Sequence, residues 1–351
     1  MYGISRKTGY KWANRHASSE GLAERSRAPH SCPHQTDPQC VEALVEYRRQ
    51  HPRWGAAKLL RRLSERHPEW PWPARSTATE ILKRHGLVEP RRRSRRPPVG
   101  ARPELSAEAA NDLWTADFKG QFRTGDRQMC YPLTVADYAS RYLLACQVCD
   151  SVAGDHVRPA FEALFRQVGL PRRILTDNGP PFGAPRAPRR LSRLAVWWIK
   201  LGIEPVRIQP GHPEQNGAHE RLHRTLKAET ARPPAKSLGA QQGSFDSFRA
   251  EYNDERPHEA LGLRRPTELY LPSLRPYPAR EPAVDYPGHF EIRRVRSKGG
   301  VRWQGRTFFL TEVLRGEPVG FEEVDDGLWS VCFSNVLLGR YDERDRTFLA
   351  L

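Results

Sequence analysis

Three acidic residues in three different sequence settings are the features of this chain best suited to chemistry. Asp117 follows the run Leu-Trp-Thr-Ala, Asp177 lies in Ile-Leu-Thr-Asp-Asn-Gly, and Glu220 lies within His-Pro-Glu-Gln-Asn-Gly-Ala-His-Glu-Arg-Leu-His-Arg-Thr-Leu-Lys. Hard divalent cations prefer oxygen ligands. Two such ions about 3.5–4 Å apart can clamp the attacking and leaving oxygens of a phosphoryl displacement. Three converging carboxylates therefore indicate the cutting or joining of a nucleic-acid backbone.

The segment 107–270 has to bring these distant positions together, and its hydrophobic pattern alternates between strands and helices. Strands are predicted near 112–120, 130–137, 141–149, 173–177 and 204–208, and helices near 154–169, 189–202, from 218 and near 244–255. This order is typical of a mixed α/β, ribonuclease H-like core with five strands, in which the first and fourth strands are neighbours. Asp117 and Asp177 would then share one sheet edge, and the loop 210–217 would steer Glu220 to it.

The segments before this core are basic and helical. Residues 3–16 predict the end of a helix-turn-helix, with Ser5 as N-cap and Tyr10 and Trp12 available for packing. Residues 37–90 predict three helices, the first capped by Asp37, as in a helix-turn-helix or winged-helix module. The third would begin near 77–80 with a capping-box pattern and end at Gly86. Its groove-facing candidates are Arg75, Thr77, Thr79, Lys83 and Arg84. The alternative is a small helical bundle with solvated charges.

Two further segments complete the predicted domain order. Residues 91–106 form a basic linker in which Arg91, Arg92 and Arg93 would lie along phosphates, although such runs are commonly just solvated. Residues 288–351 predict short strands separated by the hairpin signals 297–300 and 325–327, and hence a small β-barrel. The domains would be a partial helix-turn-helix (1–30), a DNA-binding module (37–90), the linker, a catalytic core (107–272) and the barrel.

Charge and cysteine content narrow the class of protein. The 351 residues carry a net charge of +16, and the first hundred hold 21 Lys and Arg against 9 Asp and Glu. This surplus favours a polyanion partner. No apolar run has the length of a membrane span and no signal peptide is apparent, so a cytoplasmic location is expected. Six cysteines form no disulfide framework. Cys146 and Cys149 are predicted in a buried strand, and the cluster His30, Cys32, His34 and Cys40 matches no zinc pattern.

The three acidic motifs together resemble the catalytic core of bacterial insertion-sequence transposases related to retroviral integrases. The element Tyr-Asn-Asp-Glu-Arg-Pro-His at 252–258 is similar to the one that closes that core. The resemblance implies that Asp117, Asp177 and Glu220 are catalytic and bind two Mg²⁺ ions, with Mn²⁺ as a substitute. It also implies a double-stranded DNA partner, a homo-oligomer on DNA and association with the nucleoid. The Asp177–Glu220 interval is longer than in retroviral integrases because of the Pro- and Arg-rich segment 182–191.

Neighbouring residues have competing interpretations. Glu214 competes for the third carboxylate, but it precedes the helix, whereas Glu220 projects from a regular element. Asn178 is expected to orient the Asp177 loop, and Asp137 to end a strand in a turn. Arg224 and Lys227 follow Glu220 by one and two turns and could hold DNA phosphate. His219 and His223 are interpreted as packing or DNA contacts, and Trp197 and Trp198 as core or protomer-contact residues.

The sequence leaves three functional hypotheses. An active transposase is favoured by the presence of all three acids. A DNA-binding protein or repressor from a decayed element is favoured by the incomplete first helix-turn-helix. An enzyme that cuts RNA–DNA hybrids is disfavoured, because helix-turn-helix modules suit B-DNA grooves.

Overall fold

The computed structural model describes residues 3–18, 35–88, 106–118, 120–209 and 213–351. The chain divides into two compact units, Met1–Glu89 and Pro90–Leu351. Arg91, Arg92 and Arg93, together with the cluster members His30, Cys32 and His34, lie outside the described residues. Within the described ranges, no helix combines the length and apolar character needed to cross a membrane.

In its described ranges, 3–18 and 35–88, the first unit contains four helices, of which the last three share a core. They are α1 (Arg6–Ala17), α2 (Pro38–Gln50), α3 (Ala56–Arg66) and α4 (Arg75–Arg84). Ser5 and Asp37 cap α1 and α2 as predicted, since their side chains accept hydrogen bonds from the amides of Thr8 and Gln39. Leu44, Leu59 and Ile81, one from each of α2, α3 and α4, pack in a common apolar cluster. Cys40 is buried in α2.

The packing role of Tyr10 and Trp12 stays a prediction, since Tyr10 is 70% exposed and α1 has no buried residue. The predicted start of the last helix is wrong. Helix α4 begins two residues earlier than predicted, after Ala74, and it has no side-chain cap. Thr79 therefore lies inside the helix, where its hydroxyl donates to the Arg75 carbonyl. The C-terminal glycine signal is confirmed, because Gly86 adopts a φ of 70°.

The second unit is a mixed α/β structure, as predicted, built on a six-stranded sheet. Its strands are β1 (Leu113–Phe118), β2 (Phe122–Arg123), β3 (Met129–Asp137), β4 (Leu143–Cys149), β5 (Arg173–Thr176) and β6 (Glu204–Arg207). The main order is β4-β3-β1-β5-β6, and the short β2, which was not predicted, pairs with the edge of β3. Strand β1 pairs antiparallel with β3 and parallel with β5.

Helices cover both faces of this sheet. They are α5 (Gly154–Val168), α6 (Arg193–Lys200), α7 (Gly217–Thr230) and α8 (Leu238–Ala250). Phe161 and Phe165 of α5 pack with Trp198 of α6 on one face. Leu222 of α7 packs with Phe245 of α8 on the other. Helix α8 starts six residues before its predicted position, and a π-helical turn, Glu251–Glu255, follows it.

The C-terminal strands do not close into the predicted β-barrel. They are β7 (Glu291–Arg294), β8 (Gly300–Trp303), β9 (Arg306–Phe309), β10 (Pro318–Asp325), β11 (Leu328–Phe333), β12 (Val336–Asp342) and β13 (Thr347–Ala350). Five form an open antiparallel sheet, β13-β12-β11-β10-β7, and β8-β9 form a separate ladder. The hairpin at 325–327 is confirmed. A turn exists at 297–300, but β7 pairs with β10 instead of β8.

Helix α6 is shared between two apolar cores. Its residues Leu194, Trp197 and Trp198 pack against the central sheet. Its residues Ala195, Val196 and Ile199 belong to the cluster of the C-terminal strands. Trp197 and Trp198 are 3% and 1% exposed, so the prediction that they are core residues is confirmed.

Candidate active site

Strand pairing places Asp117 and Asp177 side by side. In the parallel ladder between β1 and β5, Leu113 lies opposite Arg173 and Thr115 lies opposite Leu175. Continued by two residues past the last paired positions, this register would place Asp117 opposite Asp177, near the carboxyl ends of both strands. Both aspartates are half-buried. Two carboxylates at one sheet edge would favour a bound cation, because each ionised carboxylate otherwise disfavours ionisation of the other.

Hydrogen bonds hold the start of the loop after β5, where Asp177 lies. The Gly179 amide donates to Asp177 Oδ1 at 3.2 Å, and the Asn178 side-chain amide donates to the Ile208 carbonyl at 3.0 Å. Burial raises the pKa of Asp177, while the Gly179 amide and the Arg207 guanidinium oppose that rise. Asn178 thus ties the loop to the end of β6, which supports its predicted positioning role.

The start of α7 contacts Asp117. Asn216 precedes this helix and its amide nitrogen lies 3.4 Å from Asp117 Oδ2. The other amide atom, Asn216 Oδ1, is buried and has no hydrogen-bond partner among the described residues. His223 Nδ1 lies 3.7 Å from Asp117 Oδ2. The polar surroundings of Asp117 therefore come from α7 as well as from the sheet.

Two histidines fasten α7 to the sheet. His219 Nε2 and His223 Nε2 each lie 2.6 Å from Thr134 Oγ1, and the Thr134 hydroxyl donates to the Asp117 carbonyl at 3.1 Å. His219 Nδ1 lies 2.8 Å from Thr115 Oγ1. Burial lowers the pKa of His219 to about 3, so this imidazole is neutral. Both histidines pack against the sheet, which was one of the two predicted interpretations.

The opposite side of α7 is exposed. Glu220, Arg224 and Lys227 follow one another at helical spacing and all are solvent-exposed. Among the described residues, no group of three or more His, Cys, Asp or Glu side chains is placed to hold a metal ion. The side chain of Glu220 is thus not grouped with the two aspartates, although the first residues of its helix lie next to Asp117. The side chain of Glu214, its competitor, lies outside the described part of the chain.

The donors at the sheet edge suit a hard divalent cation. Asp117 and Asp177 could supply carboxylate oxygens, and Asn216, whose side-chain nitrogen lies 3.4 Å from Asp117 Oδ2, adds a buried side-chain oxygen without a partner among the described residues. Oxygen donors of this kind select Mg²⁺ or Mn²⁺ over softer metals. By contrast, Cys146 and Cys149 belong to apolar clusters on opposite faces of the sheet and do not form a metal pair.

The structure also describes two other features of the sequence, Asp137 and the motif 252–258. Asp137 is 1% exposed and accepts hydrogen bonds from the amides of Asn111 and Ser140, as predicted for a strand-end turn.

Asn253 and Arg256 of the motif 252–258 are buried. Asn253 exchanges two hydrogen bonds with the backbone of Leu143, so this motif joins α8 to β4.

The predicted DNA-reading residues of the first unit lie on α4. Arg75, Thr77, Lys83 and Arg84 are exposed on this helix. Thr79 is half-buried, and its hydroxyl is bonded within the helix. Lys83 forms an exposed ion pair with Glu80 at 2.6 Å, which contributes little to stability.

Sequence reasoning missed several residues around the site, namely Thr115, Thr134, Arg207 and Asn216. Asn216 lies in the long third motif, and its position four residues before Glu220 was an available signal. Thr115, at alternate spacing from Asp117 on β1, could also have been placed on the same sheet face. Thr134 and Arg207 gave no local signal, because their partners are distant in sequence.

Three known domain families match the chain. A homeodomain-like domain matches residues 8–82, and two integrase core domain families match residues 107–213 and 201–266. Among solved structures, the HTLV-2 integrase catalytic core domain in complex with magnesium covers 47% of this chain and 99% of its own, with 14% identity and a TM-score of 0.37.

Proteins of bacterial insertion elements are the curated relatives. The 39.2 kDa protein of IS476 from Xanthomonas euvesicatoria is 30% identical over 71% of this chain and 69% of its own length. The 31.7 kDa protein of IS407 from Burkholderia multivorans is 29% identical over 54% and 66%, respectively. Transposase InsD of IS2 from Escherichia coli is 34% identical over 27% of this chain and 29% of its own. The chain therefore belongs to the family of insertion-element transposases with an integrase core.

Proposed function

We propose that this transposase cleaves DNA at the ends of a mobile element and joins those ends to target DNA, using Asp117, Asp177 and Glu220 as ligands of two Mg²⁺ ions. The observation that supports the proposal is the register of β1 and β5, which pairs Thr115 with Leu175 and, continued by two residues, would place Asp117 opposite Asp177 at one edge of the core. Helix α7 begins at the same edge, and Asn216 contacts Asp117.

The reaction needs positioning and charge stabilisation more than covalent chemistry by the protein. When bound, the two divalent ions would activate water or a DNA 3′-hydroxyl and stabilise the leaving oxygen. Asp117 and Asp177 hold the metal-binding edge in place before substrate arrives, because strand pairing and loop contacts already fix their backbone. Glu220 supplies the third carboxylate from the first turn of α7. Arg224 and Lys227 hold the phosphate of the reacting end.

DNA recognition is assigned to the first unit. The exposed residues of α4, Arg75, Thr77 and Lys83, read base edges at the element end, with Thr79 and Arg84 beside them. The linker residues Arg91, Arg92 and Arg93 neutralise DNA phosphates. Because transposition joins two element ends in one event, the protein acts on double-stranded DNA as a homo-oligomer.

The test is a strand-transfer assay with DNA from the borders of the element and a plasmid target. The wild-type chain should join the two DNAs with Mg²⁺ or Mn²⁺. Asp117→Asn and Asp177→Asn should abolish joining while duplex binding persists, since the basic surfaces remain. Duplex binding by the wild type without joining in either metal would instead support a DNA-binding protein from a decayed element. Cleavage restricted to RNA–DNA hybrids would contradict both interpretations.

A further inference from the structure

Arg207, at the end of β6, contacts the backbone of three residues around the Asp177 loop. Its Nη1 donates to the Asp177 carbonyl at 3.2 Å, and its Nη2 donates to the Phe182 and Arg190 carbonyls at 2.6 and 3.1 Å. Arg207 pairs with Thr176 in the parallel ladder, so its position relative to Asp177 is set by the sheet. One guanidinium thus contacts the Asp177 backbone and both ends of the segment 182–190.

The segment 182–191, the extra length between Asp177 and Glu220, is packed closely against the Asp177 loop. Gly183 donates its amide to the Gly179 carbonyl at 2.9 Å. A Cβ added at Gly183 would lie 2.4 Å from the Asn178 carbonyl oxygen, so there is no room for a side chain there. Phe182 anchors the start of the segment in the apolar core, where it is 1% exposed.

The same segment also contacts the C-terminal strands. The Arg189 amide donates to the Leu351 carbonyl at 2.8 Å, and Arg189 Nε donates to the Leu337 carbonyl at 3.1 Å. Leu191, 4% exposed, belongs to the apolar cluster of the C-terminal sheet. Segment 182–191 therefore contacts both the loop that follows Asp177 and the C-terminal strands.

We propose that Arg207 is a positioning residue that holds the Asp177 carboxylate at the metal-binding edge by joining its loop to segment 182–191, which the C-terminal sheet supports. This inference rests on the proposed function. The guanidinium suits the task because its planar array of donors reaches several carbonyl oxygens in fixed directions. A lysine ammonium could reach some of these oxygens but could not reproduce the array. Residues that orient metal ligands typically change metal affinity or activity by about 10–100-fold when replaced.

The experiment measures Mn²⁺ binding to the full chain without DNA, by the fall in free Mn²⁺ in electron paramagnetic resonance. The Mg²⁺ concentration for half-maximal strand transfer is a second readout, and thermal unfolding reports folding. The variants are Arg207→Ala, Arg207→Lys and Arg189→Ala, with Asp177→Asn as a reference for ligand loss. Arg340→Ala is the matched control, because Arg340 is an exposed arginine of the C-terminal sheet.

Arg207→Ala should raise the half-saturating Mn²⁺ concentration by about tenfold or more, and Arg207→Lys should recover part of the loss. Arg189→Ala should raise it about twofold, because it weakens the link from the sheet side only. Arg340→Ala should bind Mn²⁺ like the wild type. If Arg207→Ala does not fold, Arg207→Lys and Arg189→Ala provide the same test.

Folded Arg207 and Arg189 variants with the wild-type Mn²⁺ curve would overturn the inference, provided that Asp177→Asn weakens binding. The proposed metal site would then stand without the positioning role. Wild-type Mn²⁺ binding by Asp177→Asn would overturn the metal site itself, and the positioning role with it. A wild-type metal curve for Arg207 variants that unfold at lower temperature would show that Arg207 serves stability alone.

Discussion

Asp117 and Asp177 lie half-buried at the end of two paired strands, whereas Glu220 is exposed on α7. The aspartates are surrounded by fixed donors, including the Gly179 amide and the Asn216 side chain. The exposed stripe of α7 consists of Glu220, Arg224 and Lys227, and within the described ranges no hydrogen bond or ion pair of these side chains fixes it. Two regions of one proposed active site are therefore organised to different degrees.

This difference indicates that the sheet edge is formed before ligands bind and that the exposed stripe of α7 is completed by them. Pre-organised oxygen donors contribute most when they need no rearrangement during reaction. Exposed long side chains lose conformational freedom only when they engage phosphate or metal. Mutations in the two regions should therefore differ in their effects on stability and on activity, and the following predictions test that division, from the largest effect to the smallest.

Replacing the third carboxylate should have the largest effect. Glu220→Gln should lower the strand-transfer rate on the order of a thousandfold, about 4 kcal/mol, because an amide cannot supply the ligand charge. Stability should be unchanged, since Glu220 is exposed. The same assay on Glu214→Gln is the control and should give nearly wild-type rates. Full activity in Glu220→Gln with loss in Glu214→Gln would assign the third ligand to Glu214.

Lys227→Ala should lower strand transfer by about a hundredfold, because misplacing the reacting phosphate by about 1 Å can cost that much. Sequence preference should be unaffected, since phosphate contacts carry no base information. Rates on matched and scrambled element ends provide the measurement. A changed preference with an unchanged rate on matched ends would remove Lys227 from the reacting end.

The double variant Arg75→Ala, Lys83→Ala should change sequence preference and leave the strand-transfer rate unchanged, the reverse of the effect expected for Lys227→Ala. Discrimination between matched and scrambled ends should fall about thirtyfold, because two base-edge contacts at the lower limit of roughly 1 kcal/mol each contribute about 2 kcal/mol. Strand transfer at saturating DNA should stay near the wild-type rate. Competition binding at fixed salt is the measurement, and undiminished discrimination would mean that α4 does not read the end.

The buried face of α7 should make stability depend on pH. The folded pKa of His219 is about 3, below its unfolded value, so only the unfolded chain takes up this proton as pH falls. His219 should therefore lower the free energy of unfolding by about 1.4 kcal/mol for each pH unit below pH 6. Chemical denaturation between pH 7 and 5 should show a shallower slope for His219→Gln. Identical slopes would mean that folding does not lower the pKa of His219.

The smallest effect on stability is expected for replacement of Asp177, at the edge of the sheet. Burial raises the folded pKa of Asp177, so above that pKa its charged form costs stability, and the cost disappears as pH falls to the unfolded value. Asp177→Asn should therefore raise the thermal midpoint at pH 7 by about 2 °C or less while activity is lost. A lower midpoint at pH 7 would show that the Asp177 carboxylate stabilises the fold.

Topology was more predictable than the interactions around the site. The adjacency of Asp117 and Asp177 follows from strand order, which periodicity and the acidic motifs indicate together. The contacts of Thr134 and Arg207 join positions whose spacing has no local pattern. Strands β12 and β13 were not predicted, and the barrel prediction failed because turn signals do not specify which strands pair.

The two-sided burial of α6 has a consequence for the solubility of shortened chains. Six of its eight residues are buried, three of them against the C-terminal strands. A fragment that stops near residue 272 would expose Ala195, Val196 and Ile199 as a continuous apolar stripe beside Leu191. Exposed stripes of this kind promote self-association. The end of the integrase core match is therefore not a suitable end for a fragment. The shortest fragment of this unit that stays monomeric in solution should extend to the last strand.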